Sequence, residues 1–160
     1  PERVKPALER TLGDLGLEQL DLYLIHWPVP THDRFVESWR ALVRLRDEGR
    51  ARAIGVSNFT MPQIAALDHF LAEKIVTTQP EISPLRIDCF ENGELDQAMM
   101  MGLTPMAWSP LGGGRLHSQA TTPGTAAARL APKLAELAQA AGTDTTAVAM
   151  AWLMHHPVQV

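Results

Sequence analysis

Short apolar runs alternate with longer amphipathic stretches along most of the 160 residues. The runs lie at residues 20–28, 53–56, 75–79 and 104–108, and each interval between them is long enough for a helix. Short strands that alternate with helices build a parallel sheet through right-handed crossovers. The sequence therefore predicts the α/β fold class.

The stretches between the runs have helical periodicity. One apolar stripe recurs at i, i+4, i+7 and i+8, at Phe35, Trp39, Leu42 and Val43. This stripe predicts a helix over residues 33–48 that Gly49 ends. Thr60 and Gln63 have capping-box spacing ahead of another helix. Further helices are predicted before Gly16, over 91–101, and on either side of 142–144, and a strand is predicted to open at 157–160.

Charge and composition exclude several classes of partner. Fourteen Lys and Arg against 18 Asp and Glu give a net charge of −4, so we expect no nucleic acid and no anionic membrane surface as partner. No apolar run reaches the roughly 18 residues that a membrane span needs. The single cysteine, Cys89, excludes an internal disulfide and a thiolate zinc cluster. It suits a reducing compartment, so we predict a cytoplasmic protein without a metal site.

Polar and aromatic side chains follow each predicted strand at its carboxyl end. They are His26 and Trp27, Ser57 and Asn58, Gln79 and Glu81, and Trp108 and Ser109. Carboxyl ends of parallel strands meet at one edge of a sheet or barrel, so we expect these side chains around one pocket. Amides can orient a carboxamide, an indole can stack on an aromatic ring, and a histidine can donate to a carbonyl oxygen.

Simpler structural interpretations stand beside these roles. A histidine at a strand end can be a hydrogen-bonded structural residue, and Trp108 can be part of the core. Ser57 and Asn58 can form a turn that leads into a helix, because their side chains bond to nearby backbone. The glycines at 112–114 match neither a dinucleotide-binding fingerprint nor a phosphate-binding loop with its lysine.

Four segments together resemble the aldo-keto reductase family, at residues 20–28, 54–59, 79–85 and 107–115. They occur in the family's order, the resemblance covers essentially the whole chain, and the last two look most like a bacterial oxidoreductase branch. The resemblance implies a (β/α)8 TIM barrel. Residues 1–160 would then be a single incomplete barrel domain with about strands 4 to 7 and the start of strand 8.

The resemblance also implies an activity, the NADPH-dependent reduction of aldehydes or ketones to alcohols. His26 matches the histidine that orients and polarises the carbonyl of a small-molecule substrate. Ser57, Asn58 and Gln79 match the residues that hold the nicotinamide carboxamide, and Trp108 matches the aromatic residue that stacks on the nicotinamide ring. The residues that match the loop along the cofactor pyrophosphate are Ser109, Leu111, Gly113 and Arg115.

The chain departs from the family pattern at several points. The family's tyrosine proton donor, with its lysine and aspartate, lies before Pro1, and its 2′-phosphate-binding segment lies after Val160. The only tyrosine here, Tyr23, is inside a predicted strand, and Pro80 cannot donate to a sheet. We therefore expect a fragment that is inactive alone and part of a longer enzyme. The alternative is a cofactor- or partner-binding module, either a half-barrel or a regulatory subunit. Open strand edges predict self-association or binding of the missing barrel half.

Overall fold

The computed structural model describes residues 2–29, 34–70, 72–116 and 122–156. The chain divides into two compact units. The first unit comprises Pro1–Thr78 and Met100–Leu103, and the second comprises Gln79–Met99 and Thr104–Val160. The single-domain interpretation of residues 1–160 stays a prediction. The strand predicted to open at 157–160 lies outside the described residues.

Strands and helices alternate along the first unit. They are α1 (Val4–Leu15), β1 (Leu20–Ile25), α2 (Phe35–Asp47), β2 (Ala51–Ser57) and α3 (Met61–Phe70). Strands β1 and β2 are parallel, with Leu20 opposite Ala51 and Ile25 opposite Val56. Parallel pairing on either side of a helix is the arrangement that the alternating pattern predicted.

Helix α2 buries the predicted apolar stripe. Trp39 is fully buried, and Leu42 and Val43 are buried with it, while α2 packs on both β1 and β2. A second cluster joins Leu45 of α2 to α1. The core of the first unit therefore lies between the two strands and the helices that cover them.

The remaining elements begin with β3 (Thr77–Gln79), whose last residue opens the second unit. A single 3-10 turn (Asp88–Phe90) follows, then α4 (Glu94–Met101), β4 (Thr104–Pro105), α5 (Ala126–Ala141) and α6 (Thr145–Met154). Two buried clusters form in the second unit. One contains Ile82, Cys89, Leu95 and Leu153, and the other contains Leu116, Leu134 and Ala149.

Local capping signals in the sequence are confirmed. The Thr60 backbone N–H donates to the Gln63 side-chain oxygen at 2.9 Å, as the capping box requires. The Asp144 carboxylate accepts from the backbone N–H of Ala147 at 2.8 Å and starts α6. Gly142 ends α5 in the left-handed conformation, with φ of 64°.

Three strands are shorter than the sequence predicted, and β1 is half-buried rather than buried. Strand β1 ends at Ile25 instead of residue 28, β3 begins at Thr77 instead of residue 75, and β4 ends at Pro105 instead of residue 108. A proline explains part of this result, because Pro105, the last residue of β4, has no N–H for a sheet ladder. In the described part of the chain, no helix is both long and apolar enough to cross a bilayer.

Gly55 in β2 lies where the neighbouring strands approach too closely for a side chain. A Cβ at this position would meet Thr77 Cγ2 at 2.5 Å, Thr77 O at 2.7 Å and Leu24 Cδ2 at 2.8 Å. One of these contacts is with backbone, which cannot move aside as a side chain can. The close packing of β2 therefore requires glycine at position 55.

We expect Gly55→Ala to lower the free energy of unfolding by about 1–3 kcal/mol, the usual range for overpacking a core. Urea denaturation measures the change. Gly13→Ala is the matched control, because nothing lies within 4 Å of a Cβ there and Gly13 is inside α1. That control should gain about 0.5–1 kcal/mol from helix propensity. Equal effects of the two substitutions would contradict the close approach at Gly55.

Candidate functional site

His26, Ser57 and Asn58 meet at the carboxyl ends of β1 and β2. The register places Ile25 opposite Val56, so His26 and Ser57 follow at the same edge. The Asn58 side-chain Nδ2 donates to the backbone oxygen of His26 at 3.0 Å and to Ser57 Oγ at 2.9 Å. The convergence that the parallel sheet predicted is therefore present in the first unit.

Asn58 has a left-handed backbone, with φ of 59°. Asparagine tolerates this region better than most residues because its short amide bonds locally. Non-glycine residues in such a conformation are enriched at functional sites, where the surrounding structure holds them. Asn58 thus has a structural task, since its amide completes the end of β1 by bonding to the His26 carbonyl.

The other two residues of this group differ sharply in exposure. The His26 imidazole is exposed and contacts the exposed Trp27 ring edge-on, with 6.2 Å between centroids. Ser57 is fully buried, and its hydroxyl accepts the Asn58 hydrogen bond. His26 is therefore accessible to a ligand, whereas the direct contact predicted between Ser57 and a cofactor stays a prediction.

Gln79 and Trp108 lie in the second unit, where Trp108 forms a parallel bridge with Glu81. The backbone N–H of Trp108 donates to the backbone oxygen of Pro80 at 3.0 Å, and the backbone N–H of Ile82 donates to the backbone oxygen of Trp108 at 3.3 Å. Proline lacks an N–H, but this pairing uses only the carbonyl of Pro80, so it continues past the proline. Gln79 and Trp108 are both half-buried, so each side chain keeps an accessible surface.

The segment after Trp108 is a tight loop with an unusual backbone. Ser109 has φ of 51°, and the three glycines Gly112, Gly113 and Gly114 have φ of 60°, 65° and 84°. The Gly112 N–H donates to the Ser109 oxygen at 2.8 Å. No atom of the described residues lies within 4 Å of a Cβ built on Gly113 or Gly114. These two positions therefore leave open space beside the loop, where an extended ligand can approach the backbone.

Two side chains hold this loop in shape, one by packing on the core of the second unit and the other by a bond within the loop. Leu111 packs against the cluster of Leu116, Leu134 and Ala149, so its side chain faces the core. The Arg115 Nε donates to the Gly112 oxygen at 2.6 Å, while the residue as a whole is exposed. Both residues therefore shape the loop, and the cofactor contacts predicted for Ser109, Leu111, Gly113 and Arg115 stay predictions.

The residues of each unit fit a nicotinamide cofactor. The second unit supplies an accessible amide at Gln79 and a half-buried indole at Trp108, followed by the loop with open space at its glycines. The first unit supplies a second amide, Asn58, held beside the exposed His26. Among the described residues, no three His, Cys, Asp or Glu side chains come together as metal ligands would.

Tyr23 and Cys89 are two further groups that could in principle donate a proton. Tyr23 packs against the cluster of Leu8, Leu12 and Leu45 on the helix side of β1, and burial raises the pKa of its hydroxyl. Cys89 is buried, and its pKa is raised to about 11 by burial and by the Glu94 carboxylate. Within the first unit, Tyr23 is therefore not placed to donate a proton beside His26.

The sequence does not predict one feature of the site, the pairing of Glu81. Glu81 is one of the strand-end residues, but the sequence predicts no role for it. The spacing of Gln79 and Glu81, two residues apart, was the available signal, because i and i+2 share a face in a strand. The bridge to Trp108 could not be read from the sequence, since it depends on pairing with a distant segment.

The aldo/keto reductase family model matches residues 1–160, and the chain belongs to this family. The 6-dehydroglucose reductase of Novosphingobium aromaticivorans is 54% identical over 158 residues, which are 98% of this chain and 50% of that protein. The chain spans about half the length of curated relatives that it matches.

Solved structures of aldo-keto reductases share the fold. A thermostable enzyme in complex with the inhibitor epalrestat has a TM-score of 0.83 and 29% identity, covering 98% of this chain and 53% of that chain. A Bombyx mori enzyme in complex with NADP has a TM-score of 0.79 and 30% identity, covering 96% of this chain and 50% of that chain. The predicted fold class, α/β and part of a (β/α)8 barrel, is confirmed.

Asn58 bonds to the His26 carbonyl and also adopts a left-handed backbone, and two substitutions separate these contributions to stability. Asn58→Ala and Asn58→Gly both remove the hydrogen bond to the His26 carbonyl, which should cost about 1 kcal/mol of unfolding free energy. Alanine should cost roughly 1 kcal/mol more than glycine, because its Cβ opposes the left-handed backbone. Urea denaturation separates the two effects. Alanine and glycine variants of equal stability would count against a left-handed residue at this position.

Proposed function

We propose that the chain is part of an enzyme that reduces aldehydes or ketones to alcohols with NADPH. One observation carries this proposal: the second unit contains Gln79, then Trp108, and directly after Trp108 the loop with its left-handed glycines. An accessible amide, a half-buried indole and open space beside a loop are the features that a nicotinamide dinucleotide needs. Family membership and the NADP complex of the Bombyx mori relative support the choice of cofactor.

The bound cofactor would supply the hydride, and residues of this chain would hold it in place. In this proposal the amides of Gln79 and Asn58 hold the nicotinamide carboxamide, with Ser57 behind Asn58. Trp108 covers one face of the ring, because aromatic stacking is favourable there. The loop residues Ser109, Leu111, Gly113 and Arg115 follow the pyrophosphate.

His26 would act on the substrate. Its exposed imidazole can donate a hydrogen bond to the carbonyl oxygen and stabilise the negative charge that develops there. The Asn58 amide fixes the backbone at His26, so the imidazole starts from a defined position. The substrate is a small-molecule carbonyl compound, and the most similar relative named above is called a 6-dehydroglucose reductase.

We place this activity in the cytoplasm, because the single cysteine suits a reducing compartment. The net charge of −4 favours a small molecule over nucleic acid as partner. If the 160 residues occur as a separate polypeptide, we expect their open strand edges to be covered by self-association or by the missing half of a barrel.

A second candidate function is cofactor binding without turnover. The position of Tyr23 favours it, because this tyrosine packs against helices α1 and α2 and cannot protonate an alkoxide beside His26. The 160-residue polypeptide should therefore not reduce an aldehyde at the rate of about 10 per second that is typical of enzymes. Absorbance of NADPH in the presence of a reactive aldehyde measures this. If the polypeptide turned over at that rate and Tyr23→Phe abolished the turnover, Tyr23 would be the proton donor and binding without turnover would be refuted.

In an active protein that contains this chain, substitutions of Trp108 and His26 should have different effects. Trp108→Ala should weaken cofactor binding by about 1 kcal/mol, the usual value of aromatic stacking, and should also slow hydride transfer because the ring can tilt. His26→Ala should lower kcat/KM for the carbonyl substrate and leave cofactor affinity nearly unchanged. Titration of cofactor fluorescence, together with steady-state kinetics, distinguishes these results. An equal loss of cofactor affinity in both variants would mean that the ring does not lie on Trp108.

A further inference from the structure

Glu81 lies directly beside Trp108 in the second unit. The two residues form a parallel bridge, fixed by the hydrogen bonds of the Trp108 backbone to Pro80 and Ile82 at 3.0 and 3.3 Å. Residues that are paired in this way project their side chains to the same face of a sheet, with Cβ atoms roughly 5 Å apart. The Glu81 carboxylate and the Trp108 indole are therefore neighbours.

The opposite face is occupied by the core. Ile82 is fully buried in a cluster with Cys89 and Leu95, and Ala107 packs against the same cluster. Successive side chains of a strand alternate between faces, so Glu81 and Trp108 point away from this core. Gln79 precedes Glu81 by two residues and shares its face. The second unit thus presents an amide, a carboxylate and an indole together.

The Glu81 carboxylate has no internal partner in the described part of the second unit. No described residue of that unit gives it a hydrogen bond or an ion pair, although the side chain is half-buried. Other acids of this unit do have partners, such as Asp88 with Arg86 at 2.9 Å. Glu81 therefore offers a negative charge on the same face as the Trp108 indole, where a positively charged ligand would be attracted to it.

We propose that Glu81 is a further cofactor-binding residue, whose carboxylate stabilises the positively charged nicotinamide ring of NADP⁺ against Trp108. The inference rests on the proposed function, because it uses the ring position on the indole. The reduced ring is neutral and the oxidised ring carries a full positive charge. A carboxylate beside the ring therefore favours NADP⁺ over NADPH by Coulomb attraction, which is substantial where water is partly excluded.

The ratio of the two affinities isolates this effect. NADP⁺ and NADPH share their phosphates, ribose rings and adenine, so contacts with those groups cancel in the ratio. Glu81→Gln keeps the shape of the side chain and removes its charge. We expect it to raise the Kd of NADP⁺ about tenfold and that of NADPH less than twofold, measured by fluorescence titration at neutral pH.

Two further variants control for changes in structure. Glu91→Gln removes an exposed carboxylate elsewhere in the second unit and should leave both Kd values unchanged. Glu81→Asp keeps the charge on a shorter side chain and should keep the ratio within about threefold of wild type. A merely structural role for Glu81 would change both affinities together, in Gln and Asp variants alike.

A measurement on the wild-type protein covers the case in which Glu81→Gln does not fold. Salt screens interactions between partly exposed charges, so the preference for NADP⁺ over NADPH should fall as the salt concentration rises. A ratio that does not change with salt, or equal effects of Glu81→Gln on both cofactors, would overturn the inference while leaving the proposed function intact. Wild-type protein that binds neither cofactor would remove the proposed function and this inference with it.

Discussion

Backbone groups at the strand ends find hydrogen-bond partners outside the regular ladder, and these bonds shape the candidate site. At the end of β1, the Asn58 side chain takes the place of a neighbouring strand and bonds to the His26 carbonyl. After β3, Pro80 offers only its carbonyl, which accepts from Trp108. Residues assigned to ligand binding therefore also complete the sheet. Stability and the proposed function therefore depend on the same hydrogen bonds, so substitutions here need stability controls.

Backbone conformation marks the same positions. Among the described residues, the two non-glycine residues with positive φ are Asn58 and Ser109, and each follows directly after a residue of the candidate site. Such conformations cost free energy, and they persist where surrounding contacts determine them fully. The Asn58 amide bonds and the Ser109 carbonyl, which accepts from Gly112, supply those contacts. Each unit thus holds its strained residue directly after a residue that the proposed function assigns to the site.

Local signals in the sequence were sufficient for the helices and for the meeting of His26 with Asn58. The capping groups Thr60 and Asp144 act within one turn, so their spacing alone predicts their role. The lengths of the strands were harder to predict, because each strand ends where its neighbour stops pairing. Pro105 also lacks a hydrogen-bond donor, which the hydrophobic periodicity does not reveal. The Glu81 bridge was beyond prediction for the same reason, since its partner Trp108 is distant in the sequence.

Cys89 has a practical consequence that follows from its position. It is the only cysteine of the chain, it is buried between Ile82 and Leu153, and its pKa of about 11 keeps it as a thiol at neutral pH. Thiol reagents attack the thiolate, which is scarce at such a position. A cysteine introduced on the surface would be the one thiol that reacts with a maleimide dye in the folded protein. Spectroscopic probes can therefore be attached at a chosen site without first replacing Cys89.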